Sequence, residues 1–297
     1  MQPYVSEPGP PGTRFAEIRR FEVLDSTNRY LADEAVAGAP EGLVAVTDFQ
    51  SAGRGRLGRR WEAPAGTNLL ASVLFRPLLD PKDLHLLTVV VALATADACM
   101  EAAGLEPHLE WPNDLYVGKR KLAGVLAESV PERASSSPSM SPPGPTGAGG
   151  GEDGGHGQGT GQLRAVVVGL GLNVRWPQPD SVSPPIPVPD EFADIATSLW
   201  RESSPTRAEH LDCRVILDLV LAALEHRVEN LAHGDGRRRQ AAEYRRRCST
   251  VGRRVKVTLG DSAFEATAVD VTDEGHLVVE SDSTFRTITA GDVVHLD

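Results

Sequence analysis

The sequence contains few cysteines, few aromatic residues and fewer basic than acidic residues. Its three cysteines, Cys99, Cys213 and Cys248, are odd in number and far apart, which excludes a disulfide framework and the paired spacing of a zinc site. Lysine and arginine number 30 against 41 aspartates and glutamates, for a net charge of −11. Because proteins that bind phosphate backbones are usually basic, this balance argues against a general nucleic-acid binder.

Long hydrophobic runs and a targeting segment are also missing. The longest apolar stretch, Leu86–Ala96, is interrupted by Thr88 and Thr95, and it is shorter than the ~20 residues that a membrane span requires. The N-terminal residues lack the charged start and apolar centre of a signal peptide. These absences predict a reduced, cytoplasmic protein that binds neither membrane nor DNA.

Length and composition predict a globular protein of two domains. The 297 residues are 40% hydrophobic and 24% charged, which is enough apolar chain to bury a sizeable core. Residues 1–20 are predicted to be a disordered tail, residues 21–247 a first domain, and residues 248–297 a small second domain. Residues 131–162 hold 10 glycines, 5 prolines and 5 serines, which predicts a disordered insert between two paired strands.

The first domain mixes helical and strand patterns. A helix is predicted over Asn28–Val36, capped by Ser26 or Thr27, and a long buried helix over Leu84–Ala103. Strands are predicted over Gly42–Phe49, Asn68–Phe75, Lys121–Ser129 and Ala165–Leu172, and further helices over residues 191–200 and 207–231. Val251–Asp297 contains about five short alternating runs separated by turn residues, which predicts a small barrel.

Glycines and arginines interleave in GRGRLGRRW, residues 53–61. The segment contains the G-x-G-x-x-G of dinucleotide-binding turns, but Pro64 and Gly66 follow where that fold needs a helix. Its four arginines are Arg54, Arg56, Arg59 and Arg60. They would repel one another unless an anion were bound, and guanidinium groups suit phosphate. A nucleotide-binding clamp is therefore favoured over a solvated basic turn.

A second polar cluster follows a tight turn. Pro112, Asn113 and Asp114 are turn-forming residues, and Lys121 stands seven residues after Asp114 at the start of an apolar strand. This spacing can bring the carboxylate and the ammonium to one site. Taken alone, a turn cap and a surface lysine explain the pattern equally well.

Taken together and in order, these segments resemble those of biotin–protein ligases. The resemblance spans Phe21 to Asp297 and rests on STN, GRGRLGRRW, WPNDLY, KLAG and GLGLN. It implies an α+β fold, in which a catalytic domain with a mixed sheet and helices, like that of class II aminoacyl-tRNA synthetases, precedes a C-terminal SH3-like barrel.

The resemblance also implies the roles of individual residues. Implied biotin-binding residues are Ser26, Thr27, Asn28, Gln50, Arg54, Gly55, Arg56 and Lys121. Implied ATP or adenylate contacts are Gly53, Arg54, Arg56, Arg59, Trp61 and Asn173. The candidate catalytic residues are Lys121, Arg56 and Asp114. Asp114 is also the candidate for supporting magnesium, which ATP would otherwise carry, and for accepting the proton of the acceptor amine.

The implied reaction uses ATP with Mg²⁺, and biotin is its substrate. Biotin is activated as biotinyl-5′-AMP with release of pyrophosphate, and is then transferred to a lysine with release of AMP. The implied acceptor is a biotin carboxyl carrier protein or domain of acetyl-CoA carboxylase or a related carboxylase. The oligomeric state stays open, with a homodimer as one option.

Two features depart from the family pattern. Many relatives have a lysine where this chain has Glu110, which reverses a charge beside the site. Bifunctional relatives carry an N-terminal winged-helix domain, whereas about 20 residues precede the first predicted strand here. A ligase without repressor activity is therefore expected.

Three alternatives remain open at this point. A lipoate or octanoate ligase or transferase shares the fold and the acyl-adenylate chemistry but uses a different glycine-rich motif. A DNA-associated regulator would use the arginine-rich segment 237–247. A non-catalytic biotin binder is a third class, which the intact Lys121 and loop arginines do not favour.

Overall fold

The computed structural model describes residues 3–80, 83–131, 163–179 and 186–296. An eight-stranded sheet forms the centre of the first domain, in the order β1-β2-β3-β4-β8-β7-β6-β5. Its strands are β1 Val5–Pro8, β2 Glu17–Leu24, β3 Leu43–Gln50, β4 Leu69–Phe75, β5 His108–Glu110, β6 Asp114–Val117, β7 Arg120–Pro131 and β8 Leu163–Leu172. The β2–β3 pair is parallel and the other neighbours are antiparallel, so the sheet is mixed.

Seven helices accompany the sheet in the part of the chain that the structure describes. They are α1 Thr27–Ala37, α2 His85–Ala103, α3 Asp190–Ala193, α4 Leu199–Glu202, α5 Pro205–Ala208, α6 Cys213–Leu231 and α7 Gly234–Arg247. Helix α1 packs on one face of the sheet through Leu31, which lies in a cluster with Leu74 and Val167. Helices α2 and α6 pack together on the other face.

Helix α2 confirms the predicted buried helix and corrects one argument about it. By length and composition it could cross a membrane, with a mean hydropathy of 1.7 over 18 residues. Thr88 and Thr95 therefore do not exclude a membrane span, which is contrary to the expectation from the sequence. Within the protein, 78% of that window is buried, and Thr95 satisfies its hydroxyl by donating to the Val91 carbonyl. The apolar composition of α2 matches its place in the core.

The C-terminal part forms a separate antiparallel sheet in the order β12-β11-β10-β9-β13. Its strands are β9 Arg254–Leu259, β10 Ser262–Val271, β11 Leu277–Ser281, β12 Thr284–Ile288 and β13 Asp292–His295. The five short alternating runs predicted from the sequence are thus confirmed as strands. Strand β13 pairs with β9 at one edge.

The predicted disordered tail, residues 1–20, is wrong for most of its length. Strand β1 pairs antiparallel with β2, which already begins at Glu17. Phe15 is fully buried, and Arg14 forms a 3.0 Å ion pair with Glu225 of α6. A proline-rich composition does not reveal these partners, because they come from distant parts of the chain.

The helices predicted over residues 191–200 and 207–231 are each interrupted. Between α3 and α4 the chain is extended, since Lys121 N donates to the Ile195 carbonyl at 2.7 Å and Thr197 N donates to the Lys121 carbonyl at 2.9 Å. Helix α6 begins only at Cys213, where Asp212 accepts from the first free amides. The predicted insert, residues 131–162, lies outside the described residues apart from Pro131, but β7 and β8 that flank it do pair.

Candidate active site

A cleft of about 800 Å³ opens on the face of the sheet that carries α1. Leu74 and Val167 face α1, and strand side chains alternate, so Ser72, Gly169 and Gly171 point to the same side. Every predicted site residue except Gly53 lines this cleft: Ser26, Thr27, Asn28, Gln50, Arg54, Gly55, Arg56, Arg59, Trp61, Asp114, Lys121 and Asn173. The structure therefore brings the predicted residues together.

One end of the cleft, the neutral end, is built from uncharged side chains: Ser26, Thr27, Asn28, Gln50 and Ser72. Ser26 caps α1. The Thr27 amide donates to Gln50 Oε1 at 2.8 Å, and Ser72 Oγ lies 2.7 Å from Thr27 Oγ1 and 2.6 Å from Asn28 Oδ1. A buried, fully connected network of this kind fixes its donors and acceptors in place.

Asn28 connects the neutral end to the arginine loop. Its Nδ2 donates to the Leu126 carbonyl at 3.1 Å and to Glu128 Oε2 at 2.8 Å. Glu128 also forms a 3.0 Å ion pair with Arg54. One carboxylate thus contacts both the N-terminal turn of α1 and the loop.

The arginine loop, residues 53–61, is folded back on itself. Gly55 N donates to the Arg59 carbonyl at 2.8 Å, Trp61 N donates to the Gly53 carbonyl at 3.1 Å, and Leu57 has a left-handed backbone at φ 54°. Gly53 is the first residue of the loop, and an added Cβ there would stand 2.3 Å from the Trp61 carbonyl oxygen. This close approach explains the glycine without a ligand contact.

The prediction that the loop arginines need a bound anion is wrong for three of the four, because the protein itself supplies carboxylates to Arg54, Arg59 and Arg60. Arg54 pairs with Glu128 as described, Arg59 Nη2 lies 2.6 Å from Asp292 Oδ2, and Arg60 Nε lies 3.6 Å from Glu62 Oε1. Arg56 donates to Asn113 Oδ1 at 3.2 Å and to the Gly291 carbonyl at 2.7 Å. Burial lowers the pKa of the Arg56 guanidinium, and the charge of Asp114 opposes that shift.

Trp61 lies flat over two glycines of the sheet. An added Cβ on Gly171 would stand 2.5 Å from Trp61 Cε2, and one on Gly124 would stand 3.3 Å from the same ring. Lys121 Nζ lies 5.8 Å from the ring centroid. The two glycines therefore let the indole approach the backbone closely beside the lysine.

Lys121 and Asp114 form an ion pair of 2.5 Å between Nζ and Oδ2. Strand β6 carries Asp114 and the adjacent strand β7 carries Lys121, so the spacing of seven residues does bring both groups to one site. Asp114 Oδ1 is buried and has no hydrogen-bond partner among the described residues. That oxygen is available to a ligand.

Glu110, the residue that departs from the family pattern, faces Asp114 across the β5–β6 pair. Burial, reinforced by the negative charge of Asp114, raises the pKa of the Glu110 carboxyl to about 7, while the Tyr116 hydroxyl donates to it and opposes the shift. His295 Nδ1 of β13 lies 3.3 Å from Glu110 Oε1.

Asn173 lines the cleft, but its amide is already engaged. Its Nδ2 donates to the Thr197 carbonyl at 2.9 Å and its Oδ1 accepts from Asn68 Nδ2 at 2.9 Å. The side chain is 4% exposed. Asn173 therefore holds the segment around Thr197 against the sheet.

Several cleft residues were missed from the sequence. Trp176, Phe192 and Ile195 come from the connection between β8 and α4, and Asp292 and His295 come from β13. None stands in a recognisable motif. Other cleft residues did carry a signal, because they stand in the motifs that the sequence analysis quoted: Trp111, Pro112, Asn113 and Tyr116 in WPNDLY, Gly124 in KLAG, and Gly169 and Gly171 in GLGLN.

The arginine-rich segment 237–247 belongs to α7 and is used within the protein. Arg237 pairs with Asp83 at 3.2 Å, Arg245 with Asp270 at 2.6 Å, and Arg247 with Asp97 at 3.0 Å. These ion pairs attach α7 to neighbouring elements, so they weaken the DNA-regulator alternative. Among the described residues, no group of three or more His, Cys, Asp or Glu side chains is arranged to hold a metal.

Comparison with known families matches both parts of the chain. Residues 20–140 match the biotin/lipoate A/B protein ligase family, and residues 250–296 match the biotin protein ligase C-terminal domain. The first match includes the arginine loop, Asp114 and Lys121, and the second includes β9–β13.

Individual relatives give the same result. The biotin–[acetyl-CoA-carboxylase] ligase of Mycobacterium tuberculosis is 31% identical over 293 residues, covering 96% of this chain and 91% of that protein. A bifunctional ligase/repressor of Bacillus subtilis is 28% identical, covering 92% of this chain and 72% of that protein. The structure of the Aquifex aeolicus biotin protein ligase with biotin and ATP superposes with a TM-score of 0.68 at 22% identity, covering 94% and 97% of the two chains. The chain belongs to the biotin protein ligase family.

Proposed function

We propose that this chain activates biotin with ATP as biotinyl-5′-AMP and then transfers biotin to a lysine of a carrier protein. The observation that carries the proposal is the Lys121–Asp114 pair, which lies in one cleft with the neutral end on one side and Arg56 on the other. Relatives named as biotin–[acetyl-CoA-carboxylase] ligases support it. Acetyl-CoA carboxylase or a related carboxylase supplies the carrier domain.

The two ends of the cleft suit the two substrates. A biotin ring system is uncharged and has both hydrogen-bond donors and an acceptor, which matches the amide and hydroxyl network of the neutral end. The charged end consists of Lys121, Asp114, Arg56 and Arg59. Its cations suit the biotin carboxylate and the phosphates of ATP.

The first step forms a bond between a biotin carboxylate oxygen and the α-phosphorus of ATP. The bond between that phosphorus and the α–β bridging oxygen breaks, and pyrophosphate leaves with the electron pair. Lys121 and Arg56 stabilise the negative charge of the transition state, which is the main contribution a protein makes to phosphoryl chemistry. In the second step the lysine amine attacks the acyl carbon, loses a proton, and AMP leaves.

Trp61 and the arginine loop cover the reacting centre. A mixed anhydride hydrolyses in water, so exclusion of water protects the intermediate. In this structure the loop is already closed by Arg54–Glu128 and Arg59–Asp292. We assign the loop the role of a cover that these contacts hold in place over the bound substrates.

Magnesium fits this arrangement. Mg²⁺ is usually held by one or two carboxylates together with substrate phosphates, and Asp114 Oδ1 is a buried carboxylate oxygen without a partner among the described residues. Asp114 would hold the ion from the protein side. When bound, the ion neutralises charge on the phosphates.

The finer description of the fold belongs to the same proposal. We assign the sheet domain to the class II aminoacyl-tRNA synthetase-like type and the five-stranded C-terminal sheet to the SH3-like type; the superposition on a biotin protein ligase over 94% of the chain and the match of residues 250–296 to the ligase C-terminal domain support this. A cytoplasmic location, where carboxylases and ATP meet, is part of the proposal.

The decisive experiment measures pyrophosphate release with ATP, Mg²⁺ and biotin for the wild type, Arg56→Ala and Lys121→Ala. We expect biotin-dependent release by the wild type and its collapse in Lys121→Ala. Release that depends on lipoate instead of biotin would move the chain to the sister branch of its family. No release with either acid would leave a binding protein and contradict the proposal.

A further inference from the structure

Strand β13 runs along the charged end of the cleft and contacts it at three points. At its start, the Gly291 carbonyl accepts from Arg56 Nη2 at 2.7 Å and Asp292 pairs with Arg59 at 2.6 Å. At its end, His295 contacts Glu110. The strand is also paired with β9, so its position follows that of the whole C-terminal sheet.

The His295–Glu110 contact lies in a ladder of bonds between the two domains. Leu109 accepts from the Ser249 amide at 2.8 Å, and Trp111 N donates to Thr250 Oγ1 at 3.0 Å. Thr250 is fully buried, and its Oγ1 also lies 3.2 Å from His295 Nε2. Both ring nitrogens of His295 therefore have polar partners, and the residues on either side of Glu110 are tied to the same junction.

The junction also brings two carboxylates together. Glu110 and Asp114 are two carboxylates facing each other across β5 and β6, which is unfavourable unless each has a cationic or donor partner. Lys121 is that partner for Asp114, and His295 together with Tyr116 serves Glu110.

We propose that Glu110 and His295 form a positioning pair that seats strand β13 on the cleft, and that β13 thereby orients Arg56 and Arg59 toward the phosphates of ATP. The inference rests on the proposed ligase function. Glu110 acts through β13 and not on the reacting atoms. The neutral end, which we assign to the biotin ring system, is built from α1, β3 and β4, so we expect the pair to change KM for ATP more than KM for biotin.

The test compares steady-state constants for ATP and biotin in the wild type, Glu110→Gln, His295→Ala and Asp292→Asn. We expect KM for ATP to rise about tenfold in each variant, while KM for biotin stays within twofold, because an interaction that only orients a binding group changes the constant of the substrate it faces. Glu265→Gln is the matched control. Glu265 pairs with Arg254 at 2.8 Å on the same C-terminal sheet, and both side chains are more than 60% exposed.

A charge exchange separates positioning from general destabilisation. Glu110→Lys alone is expected to raise KM for ATP at least as much as Glu110→Gln. The double variant with Glu110→Lys and His295→Glu is expected to return KM for ATP most of the way to the wild-type value, because it restores an ion pair with the two charges exchanged. Recovery in the double variant supports the inference. Failure of the double variant to recover would overturn it.

The remaining outcomes are also decisive. An unchanged KM for ATP in His295→Ala and Asp292→Asn, or an equal rise in both KM values, would overturn the positioning role. A wild type without biotin-dependent pyrophosphate release would instead overturn the proposed ligase function, so the two failures are distinguishable.

Discussion

The neutral end and the charged end of the cleft are built in different ways. Apart from Gln50 and Ser72, the neutral end comes from three consecutive residues, Ser26 to Asn28, at the start of α1. The charged end gathers Arg56, Asp114 and Lys121 and is completed by β13, more than 230 residues after the loop. The neutral end is thus held by one local cap and a few hydrogen bonds, whereas the groups that we propose to bind phosphate depend on contacts with the C-terminal sheet.

Lys121→Ala should show the largest difference between the two ends, because we expect it to slow pyrophosphate release without preventing biotin binding. Lys121→Ala removes the cation beside the reacting carboxylate, and loss of one such group typically costs ~10²–10³-fold in rate. We expect this loss in pyrophosphate release, with the neutral end still able to bind biotin. Stopped-flow or coupled pyrophosphate assays measure the rate.

Lys256→Ala is the control for Lys121, since Lys256 is an exposed lysine on β9. It should keep the wild-type rate. A Lys121→Ala variant with more than a third of wild-type activity would contradict the assignment.

Two glycines on one strand probe the two ends separately. An added Cβ on Gly169 would stand 2.2 Å from Asn28 Oδ1, and one on Gly171 would stand 2.5 Å from Trp61 Cε2. Overpacking of this kind costs ~1–3 kcal/mol. We expect Gly169→Ala to weaken biotin binding about tenfold or more, because Asn28 is held by Glu128 and cannot retreat, and Gly171→Ala to act mainly on loop closure.

Calorimetric titration with biotin and the rate of adenylate hydrolysis distinguish these two effects. Gly234→Ala provides the control, since the nearest atom to its added Cβ is 4.0 Å away. If both glycine variants lost biotin affinity equally, the separation of the two ends would be wrong.

Ser72→Ala tests the neutral end alone. The change removes the hydroxyl that donates to Asn28 Oδ1, and leaving that buried oxygen unpaired costs ~1–3 kcal/mol, whereas Thr27 Oγ1 keeps its contact with Gln50. We expect a lower free energy of unfolding in urea and about tenfold weaker biotin binding, with KM for ATP unchanged. Ser262→Ala, at an exposed hairpin where Ser262 donates to the Leu259 carbonyl, should alter neither.

The smallest effect concerns stability in acid near the charged end. Burial lowers the pKa of His85 to about 4, and the nearby His276 and Arg56 add to that shift. The unfolded chain then binds more protons than the folded one between about pH 4 and 6.5, so His85 contributes stability that is present above pH 6.5 and lost as the pH falls toward 4.

Thermal unfolding from pH 7 to pH 4.5 checks this contribution. His85→Leu should flatten the fall in melting temperature that the wild type shows in this window. His210→Leu is the comparison, because His210 is an exposed histidine. Equal acid sensitivity in the wild type and His85→Leu would show that other groups control it.

Much of the fold was predictable because its signals are local. The run of leucine, valine and alanine predicted α2, and the cap at Ser26 predicted α1 to within a residue or two. The interrupted helices between residues 190 and 213 were not predictable, since the extended segment there is fixed by backbone hydrogen bonds to Lys121. Strand β1 was not predictable either, because β2 and a residue of the distant helix α6 hold it in place.

The sequence by itself determined which side chains are available to the cleft: the arginine loop, the Asp114–Lys121 spacing and the cap at Ser26 are short segments that can be read directly from it. Only the tertiary structure decided how these groups are paired and oriented. It placed Glu128 between Asn28 and Arg54, gave each loop arginine a partner, and set His295 against Glu110. Such pairings join residues up to 235 positions apart, and no local pattern encodes them, because they arise from how the sheets and helices pack.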